Sequence, residues 1–128
     1  MNINHVALWA HYIELLKDFY CRWFNASATP EYHNPVRGLT SYLLSFPDGG
    51  ATLEIMNEPE ISDIGSCRKL RGFCHIAISL GSQEAVDGFT DRMRYEGVTI
   101  LGNPRRTGDG FYESVIADPE GNIVELTV

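Results

Sequence analysis

Two histidines and two glutamates recur at matched positions in this 128-residue chain, and all four are residue types that bind metal ions. His75 lies 70 residues after His5, and Glu125 lies 71 residues after Glu54. Imidazole nitrogens and carboxylate oxygens together suit borderline divalent ions such as Zn, Ni, Co, Mn or Fe. Taken singly, each residue has an ordinary interpretation, as a structural histidine or a solvated glutamate. Four matched positions favour a metal site instead.

The strings around the four residues indicate an internal repeat. "NHVALWA" at 4–10 aligns with "CHIAISL" at 74–80, and "FPDGGATLEIM" at 46–56 aligns with "DPEGNIVELTV" at 118–128. In both halves the histidine string precedes an amphipathic helical pattern, and the glutamate string ends the copy. We therefore interpret the chain as two copies of one βαβββ unit.

Apolar periodicity and turn residues predict the elements of each copy. The first copy has a strand at 2–10, a helix at 11–24 and strands at 37–46 and 51–57, with room for a hidden strand in the loop at 28–36. The second has a strand at 72–80, a helix between Ser82 and Gly97, a strand at 98–102, a loop at 103–110 and strands at 111–117 and 123–128. We predict a single α+β domain of two modules, at about 1–58 and 72–128, joined by a polar connector at 59–71.

Side chains alternate across a strand, so each predicted strand presents two different faces. One face is purely apolar in the four strands that carry the matched residues, and it suits a packed helix. Its members are Val6 and Leu8, Leu53 and Ile55, Ile76 and Ile78, and Val124 and Leu126. The other face carries the His or Glu among small, hydroxylic and aromatic neighbours. We interpret this second face as the lining of a cup that brings the four residues together.

Composition excludes several classes of partner. The formal net charge of −7 disfavours nucleic acid and anionic membrane surfaces. Three cysteines, Cys21, Cys67 and Cys74, show no CxxC spacing, which favours free thiols in a reducing compartment. The N-terminal segment has neither a basic start nor a long apolar run. We expect a cytoplasmic protein with a small-molecule substrate.

The strings "HVAL", "HIAI", "FPDGGATLEIM" and above all "DPEGNIVEL" resemble the glyoxalase / bleomycin resistance / extradiol dioxygenase group, the vicinal oxygen chelate superfamily. The resemblance covers nearly the whole chain. It implies two tandem βαβββ modules whose curved mixed sheets form a cup. It also implies a homodimer in which both subunits build each metal site.

The set His5, Glu54, His75 and Glu125 resembles the four-ligand set of glyoxalase I. That resemblance implies a divalent-metal-dependent lyase or isomerase that transfers a proton through a metal-bound enediolate. The substrate would be the hemithioacetal of methylglyoxal with glutathione or another thiol, and the product a lactoyl thioester. Glu125 would be the general base and then acid, with Glu54 as its counterpart.

Five further residues are candidate substrate contacts. Trp9 stands where bacterial glyoxalase I often has an arginine, and Asn57 lies near the place of a glutathione-contacting asparagine. Trp9 and Phe73 either line the pocket or fill it. Arg105 and Arg106, in "NPRRTGDG", either bind an anionic substrate at the mouth of the cup or serve only as solvated surface residues.

Three other functions remain open on the sequence. Two are enzymes of the same superfamily: an epimerase acting on an acyl-CoA, and a thiol transferase acting on a fosfomycin-like epoxide. The third is a metal-free protein that sequesters a drug or ligand, for which four intact ligands would have no use. An extradiol dioxygenase is less favoured, because Glu54 would crowd the open coordination positions that oxygen needs.

Overall fold

Each half of the chain folds into a mixed β-sheet with one helix packed on it. The computed structural model describes residues 1–63, 71–108 and 110–128. Contacts divide the chain into two compact units, Met1–Gly65 and Ser66–Val128. The first contains β1 (His5–Trp9), α1 (Ile13–Phe24), β2 (Ser27–Ala28), β3 (Tyr32–Asn34), β4 (Leu39–Ser45) and β5 (Thr52–Asn57). The second contains β6 (His75–Ser79), α2 (Gln83–Tyr95), β7 (Ile100–Arg106), β8 (Tyr112–Ala117) and β9 (Ile123–Thr127).

The two sheets share one connectivity, which confirms the predicted pair of βαβββ modules. Strand order is β1-β5-β4-β2 in the first sheet, where β3 also pairs with β4, and β6-β9-β8-β7 in the second. In each sheet the first strand runs parallel to the last, and the remaining pairs are antiparallel. The strand suspected in 28–36 is β3, with the two-residue β2 just before it. That the two modules form a single domain stays a prediction.

The predicted division into two faces is confirmed for β5 and β9, whereas the apolar residues of β1 and β6, which are Val6, Leu8, Ile76 and Ile78, are only half-buried. Leu53, Ile55, Val124 and Leu126 are almost fully buried, whereas Glu54 and Glu125 between them are partly exposed. Helix α1 packs on β2, β4 and β5, and α2 packs on β7, β8 and β9. In each module the buried face therefore lies under the helix, and the His and Glu lie on the face turned away from it, which we call the open face.

Both helices begin and end where local chemistry allows. Ser82 caps α2 by accepting a hydrogen bond from the Ala85 N–H at 3.1 Å. Gly97 follows the last turn with φ +86°, a conformation that suits glycine. Helix α1 ends at Asn25, whose left-handed φ of 52° is tolerated by asparagine better than by most residues.

A polar contact fastens α1 to its sheet. The Tyr42 hydroxyl on β4 donates a hydrogen bond to the Glu14 carboxylate, which also pairs with Lys17 one turn further along the helix. Since Glu14 stabilises the neutral phenol, the contact raises the pKa of Tyr42 to about 12. The hydrogen bonds from Lys17 and Tyr42 lower the pKa of Glu14. At neutral pH Glu14 and Lys17 are therefore both charged, and the Tyr42 hydroxyl keeps the proton that it donates to Glu14.

The loop predicted at 103–110 is wrong over its first four residues. Strand β7 continues through Pro104 to Arg106. Proline lacks an N–H and usually interrupts a sheet, but it is tolerated in an edge strand such as β7. Irregular register on either side of Gly102 accompanies the extension. Arg105 and Arg106 are therefore successive strand residues, which point to opposite faces.

The expected free thiols and the expected polar connector lie only partly within the described residues. Cys21 and Cys74 are free thiols. Cys67, and residues 64–70 of the polar connector predicted at 59–71, lie outside the described residues. Neither described helix is long and apolar enough to cross a membrane.

The turn between β8 and β9 is held by a buried aspartate. Asp118 is only 4% exposed, and its carboxylate accepts hydrogen bonds from the N–H groups of Glu120 and Asn122 at 3.0 and 2.9 Å. The Asn122 side chain donates to both of its oxygens. This turn sets the start of β9, the strand that carries Glu125.

Replacing Asp118 with alanine should lower the free energy of unfolding by about 2–3 kcal/mol, because the partly buried N–H groups of Glu120 and Asn122 lose their acceptor. Asp48→Ala is the matched control, since Asp48 is an exposed residue of the corresponding turn between β4 and β5. It should change stability by less than about 0.5 kcal/mol. Urea unfolding measures both. Equal stability of the two variants would contradict the role assigned to Asp118.

Candidate metal centre

The first His–Glu pair lies on the open face of the first module. In the parallel pair of β1 and β5, Ala7 is opposite Glu54, so His5 is the diagonal neighbour of Glu54 on the same face. His5 Nε2 is 3.9 Å from Glu54 Oε2. The other ring nitrogen, Nδ1, is 2.9 Å from Asn4 Oδ1. If Nδ1–H donates to this oxygen, the Nε2 lone pair faces the carboxylate.

The second pair repeats this arrangement in the second module. Ala77 is opposite Glu125 in the parallel pair of β6 and β9, and His75 is again the diagonal neighbour. His75 Nε2 is 3.2 Å from Glu125 Oε2. The same nitrogen faces the carboxylate in both pairs. Identical register in two separate sheets shows that the matched sequence positions are also matched structural positions.

Each pair fits two adjacent ligands of a divalent ion. Nitrogen and oxygen atoms bound to one Zn²⁺ at about 2.1 Å from it are about 3 to 3.5 Å apart. The His75–Glu125 distance already lies in that range, and the His5–Glu54 pair would have to close by less than about 1 Å. Both carboxylates are mostly buried, at 24% and 20% side-chain exposure, so a nearby cation would stabilise their charge.

The structure brings the four predicted ligands together as two pairs. Within residues 1–63, 71–108 and 110–128, no group of three or more His, Cys, Asp or Glu side chains is arranged to hold a metal ion. The gathering of both pairs around one ion therefore stays a prediction.

The surroundings of the two carboxylates differ. On the first open face, Leu43 of β4 is opposite Glu54. Met56, two residues after Glu54 on the same face of β5, is opposite Trp9 of β1. These are apolar neighbours, and Trp9 is partly exposed. The sequence-based candidate Trp9 therefore lies on the same face as the first His–Glu pair.

On the second open face, the neighbours of Glu125 include a charged pair that sequence reasoning missed. Glu113 of β8 is only 9% exposed, and its Oε1 is 3.3 Å from Nη2 of Arg105 on β7. The available signal was a charged residue within the apolar string "FYESVIA", the same anomaly that marks Glu125. The partner of Glu113 depends on how β7 pairs with β8. The sequence predicts a loop at 103–110, so it does not indicate that Arg105 is opposite Glu113.

The other candidate contacts occupy different positions. Arg106 donates to the Gly110 carbonyl oxygen at 3.1 Å and lies over the Tyr112 ring, whose hydroxyl donates to Asp87 on α2. Arg106 is thus on the helix side of its sheet. The Asn57 amide donates to the Ala10 carbonyl oxygen at 2.8 Å and ties the end of β5 to the end of β1. Phe73 precedes β6 and is 97% exposed.

A family model places these observations in a known class of proteins. The model of the glyoxalase/bleomycin resistance protein/dioxygenase superfamily matches residues 2–126. The chain belongs to this superfamily. A search of curated proteins gave no significant match.

Solved structures show the same fold. A glyoxalase family protein from Enterococcus faecalis is 24% identical, with 99% of this chain and 97% of that chain covered and a TM-score of 0.81. The trypanothione-dependent glyoxalase I of Leishmania major is 19% identical, with 99% and 86% covered and a TM-score of 0.75. Glyoxalase I from Zea mays is 20% identical, with 98% of this chain but 44% of the maize chain covered and a TM-score of 0.77. The architecture is therefore the vicinal oxygen chelate fold that the sequence resemblance implied.

The purified protein should bind about one divalent ion per chain, as expected for one four-ligand site. His5→Ala and His75→Ala should each weaken binding of Zn²⁺, Ni²⁺ or Mn²⁺ by at least about tenfold, because a ligand is lost. Isothermal titration measures the affinity. The control is His33→Ala, an exposed histidine of β3. Unchanged affinity in both ligand variants would refute the assignment.

Proposed function

We propose that this chain is a divalent-metal-dependent lyase or isomerase of glyoxalase I type. One observation carries the proposal: a His–Glu pair recurs at identical register on the open face of both modules. A single pair has an ordinary explanation as a surface ion pair. Duplication of the pair, with its carboxylate mostly buried, is better explained by a shared ligand. Membership of a superfamily that includes glyoxalase I supports the same class of reaction.

The proposed ligand set is His5, Glu54, His75 and Glu125. When bound, a divalent ion supplies Lewis-acid stabilisation of the negative charge that develops on the two vicinal oxygens of the substrate. The set contains neutral imidazoles and carboxylates, which suit Zn, Ni, Co, Mn or Fe. The two carboxylates together carry a charge that balances that of a divalent ion, and the imidazoles add no further negative charge.

Glu125 is the proposed acid–base residue, with Glu54 as its counterpart. A carboxylate oxygen of Glu125 would accept the proton from one carbon of the substrate and return it to the adjacent carbon. The neighbouring His75 keeps the carboxylate oriented on the open face.

The proposed substrate is the hemithioacetal that methylglyoxal forms with glutathione or another thiol, and the product is a lactoyl thioester. Trp9 and Leu43 beside Glu54 provide an apolar surface for the hydrocarbon part of such a molecule. They would also limit the access of water, which strengthens electrostatic interactions at the reacting carbons. Trp9 and Arg105 are the sequence-based candidates retained as substrate contacts.

Glu125→Gln should lower kcat for methylglyoxal hemithioacetals by about a hundredfold to ten-thousandfold, because the amide cannot take up the proton. Glu60→Gln, at an exposed residue after β5, is the matched control and should retain wild-type turnover. Thioester absorbance gives the rate with Ni-, Zn- and Mn-loaded protein, and circular dichroism checks folding. Full turnover by Glu125→Gln would contradict the base assignment. Absence of turnover by the metal-loaded wild type with any thiol would favour the epimerase or thiol transferase alternatives.

The protein is also proposed to be a homodimer whose subunits share each site. Each module carries half of the proposed ligand set, and the family resemblance implies that two subunits contribute to one site. A closed twofold dimer would then contain two equivalent sites.

Subunit complementation tests this arrangement. His5→Ala and His75→Ala should each be inactive alone. After the two are refolded together, half of the dimers would be mixed, and each mixed dimer would hold one intact site. About a quarter of the wild-type activity should therefore return. A mixture of His5→Ala with Glu54→Gln, both in the first module, is the control and should stay inactive. No recovery in the first mixture would contradict a shared site.

A further inference from the structure

The open face of the second module contains a buried carboxylate that the proposed reaction does not use. Glu113 is directly opposite Arg105 on one side and Thr127 on the other, so the three residues form a row across β7, β8 and β9. Arg105 Nη2 is 3.3 Å from Glu113 Oε1. The Glu113 side chain is 11% exposed, whereas the Arg105 side chain is 55% exposed. The pair therefore has a buried acceptor and an accessible donor.

Burial explains why Glu113 needs Arg105. A carboxylate removed from water is costly unless a cation or hydrogen-bond donors compensate it. Arg105 does not need Glu113 in the same way, because water solvates its exposed guanidinium group. The guanidinium group has five N–H donors in a planar fork, and one carboxylate can engage at most part of that fork. The remaining N–H groups are available to a second planar anion.

The row lies close to the proposed acid–base residue. Thr127 is two residues beyond Glu125 on β9, so Glu113 is the diagonal neighbour of Glu125 across the β8–β9 pair. Standard strand geometry puts their Cα atoms about 8 Å apart. A molecule whose reacting carbon is at Glu125 would reach Arg105 with an anionic group a few bonds away.

Comparison with the first module argues against a purely structural role. Ser41 occupies the position of Glu113, because it is opposite Met56 just as Glu113 is opposite Thr127. Ser41 is 4% exposed, so the same position is compatible with a small uncharged residue. The fold of the module does not require a carboxylate there.

We propose that Glu113 is a positioning residue that holds Arg105 in place to bind a carboxylate group of the substrate. The proposal rests on the proposed function, since it takes Glu125 as the reacting centre, and it narrows the substrates to carboxylate-bearing molecules. Arg105 makes the contact, and Glu113 sets where the guanidinium plane lies. The wild type should therefore distinguish carboxylates by their distance from the reacting carbon.

A binding experiment tests this without any turnover. The probes are the S-methyl ethers of mercaptoacetate, mercaptopropionate and mercaptobutyrate, each compared with its primary amide in NMR titrations of metal-loaded protein. The wild type should bind one of the carboxylates about tenfold to a hundredfold more tightly than its amide, as expected for a charge-assisted hydrogen bond. Arg105→Gln should abolish that preference, and Arg105→Lys should restore only part of it.

Glu113→Gln distinguishes positioning from simple attraction. Removal of the negative charge leaves Arg105 able to attract anions, so carboxylates should still bind better than amides. The preference for one chain length, however, should fall to about twofold or less, because the guanidinium is no longer held in one place. Arg106→Gln is the matched control, since Arg106 faces the helix side, and it should retain the wild-type pattern.

The possible outcomes separate this inference from the proposed function. Arg105→Gln leaves Glu113 without its cation, so the double variant Arg105→Gln/Glu113→Gln provides a folded comparison if the single variant unfolds. Equal binding of carboxylate and amide by the wild type would overturn the inference, as would an unchanged chain-length preference in Glu113→Gln. Hemithioacetals of the same thiols should show the preference in KM rather than kcat. No turnover of these or of the glutathione hemithioacetal, together with the expected binding pattern, would refute the proposed reaction and leave the carboxylate site standing.

Discussion

The parallel pairing of the first and last strands of each module is the constraint on which the candidate site depends. A parallel pair can form only across a connection long enough to return the chain, and here the helix and the intervening strands provide it. The pairing places a histidine near the start of one strand diagonally beside a glutamate in the middle of the other. A slip of one residue would turn Glu54 or Glu125 towards the helix and break the pair.

In each sheet, the residues that pack against the helix and the candidate ligand residues lie on opposite faces. One face is covered by a helix and is almost completely apolar around Leu53, Ile55, Val124 and Leu126. The open face can then carry partly buried carboxylates, because the buried face already supplies the apolar contacts that hold the module together. Ligand residues and packing residues alternate along one strand. Substitutions at Glu125 can therefore test chemistry with little effect on packing.

The two modules are equivalent in backbone but not in the chemistry of their open faces. Both carry a His–Glu pair at the same register. Around it, the first module has Leu43, Trp9 and Met56, whereas the second has the Arg105–Glu113 pair. The proposed ligand set rests on the duplicated pair, and the differing neighbours make the two open faces chemically distinct. The repeated His–Glu pair thus supports the proposed metal site, and the differing neighbours support the proposed substrate contacts.

The sequence by itself determined the repeat, the elements and the face on which His5, Glu54, His75 and Glu125 lie, because alternation along a strand and periodicity along a helix are local properties. It failed at 103–106, where a loop was predicted and the edge position of β7 allowed a strand through Pro104. Only the tertiary structure decided that Arg105 meets Glu113, that Arg106 faces α2 and that Asn57 binds the end of β1. These contacts depend on which strands pair and in what register. Such pairing joins residues of different strands, and the alternation within one strand does not specify it.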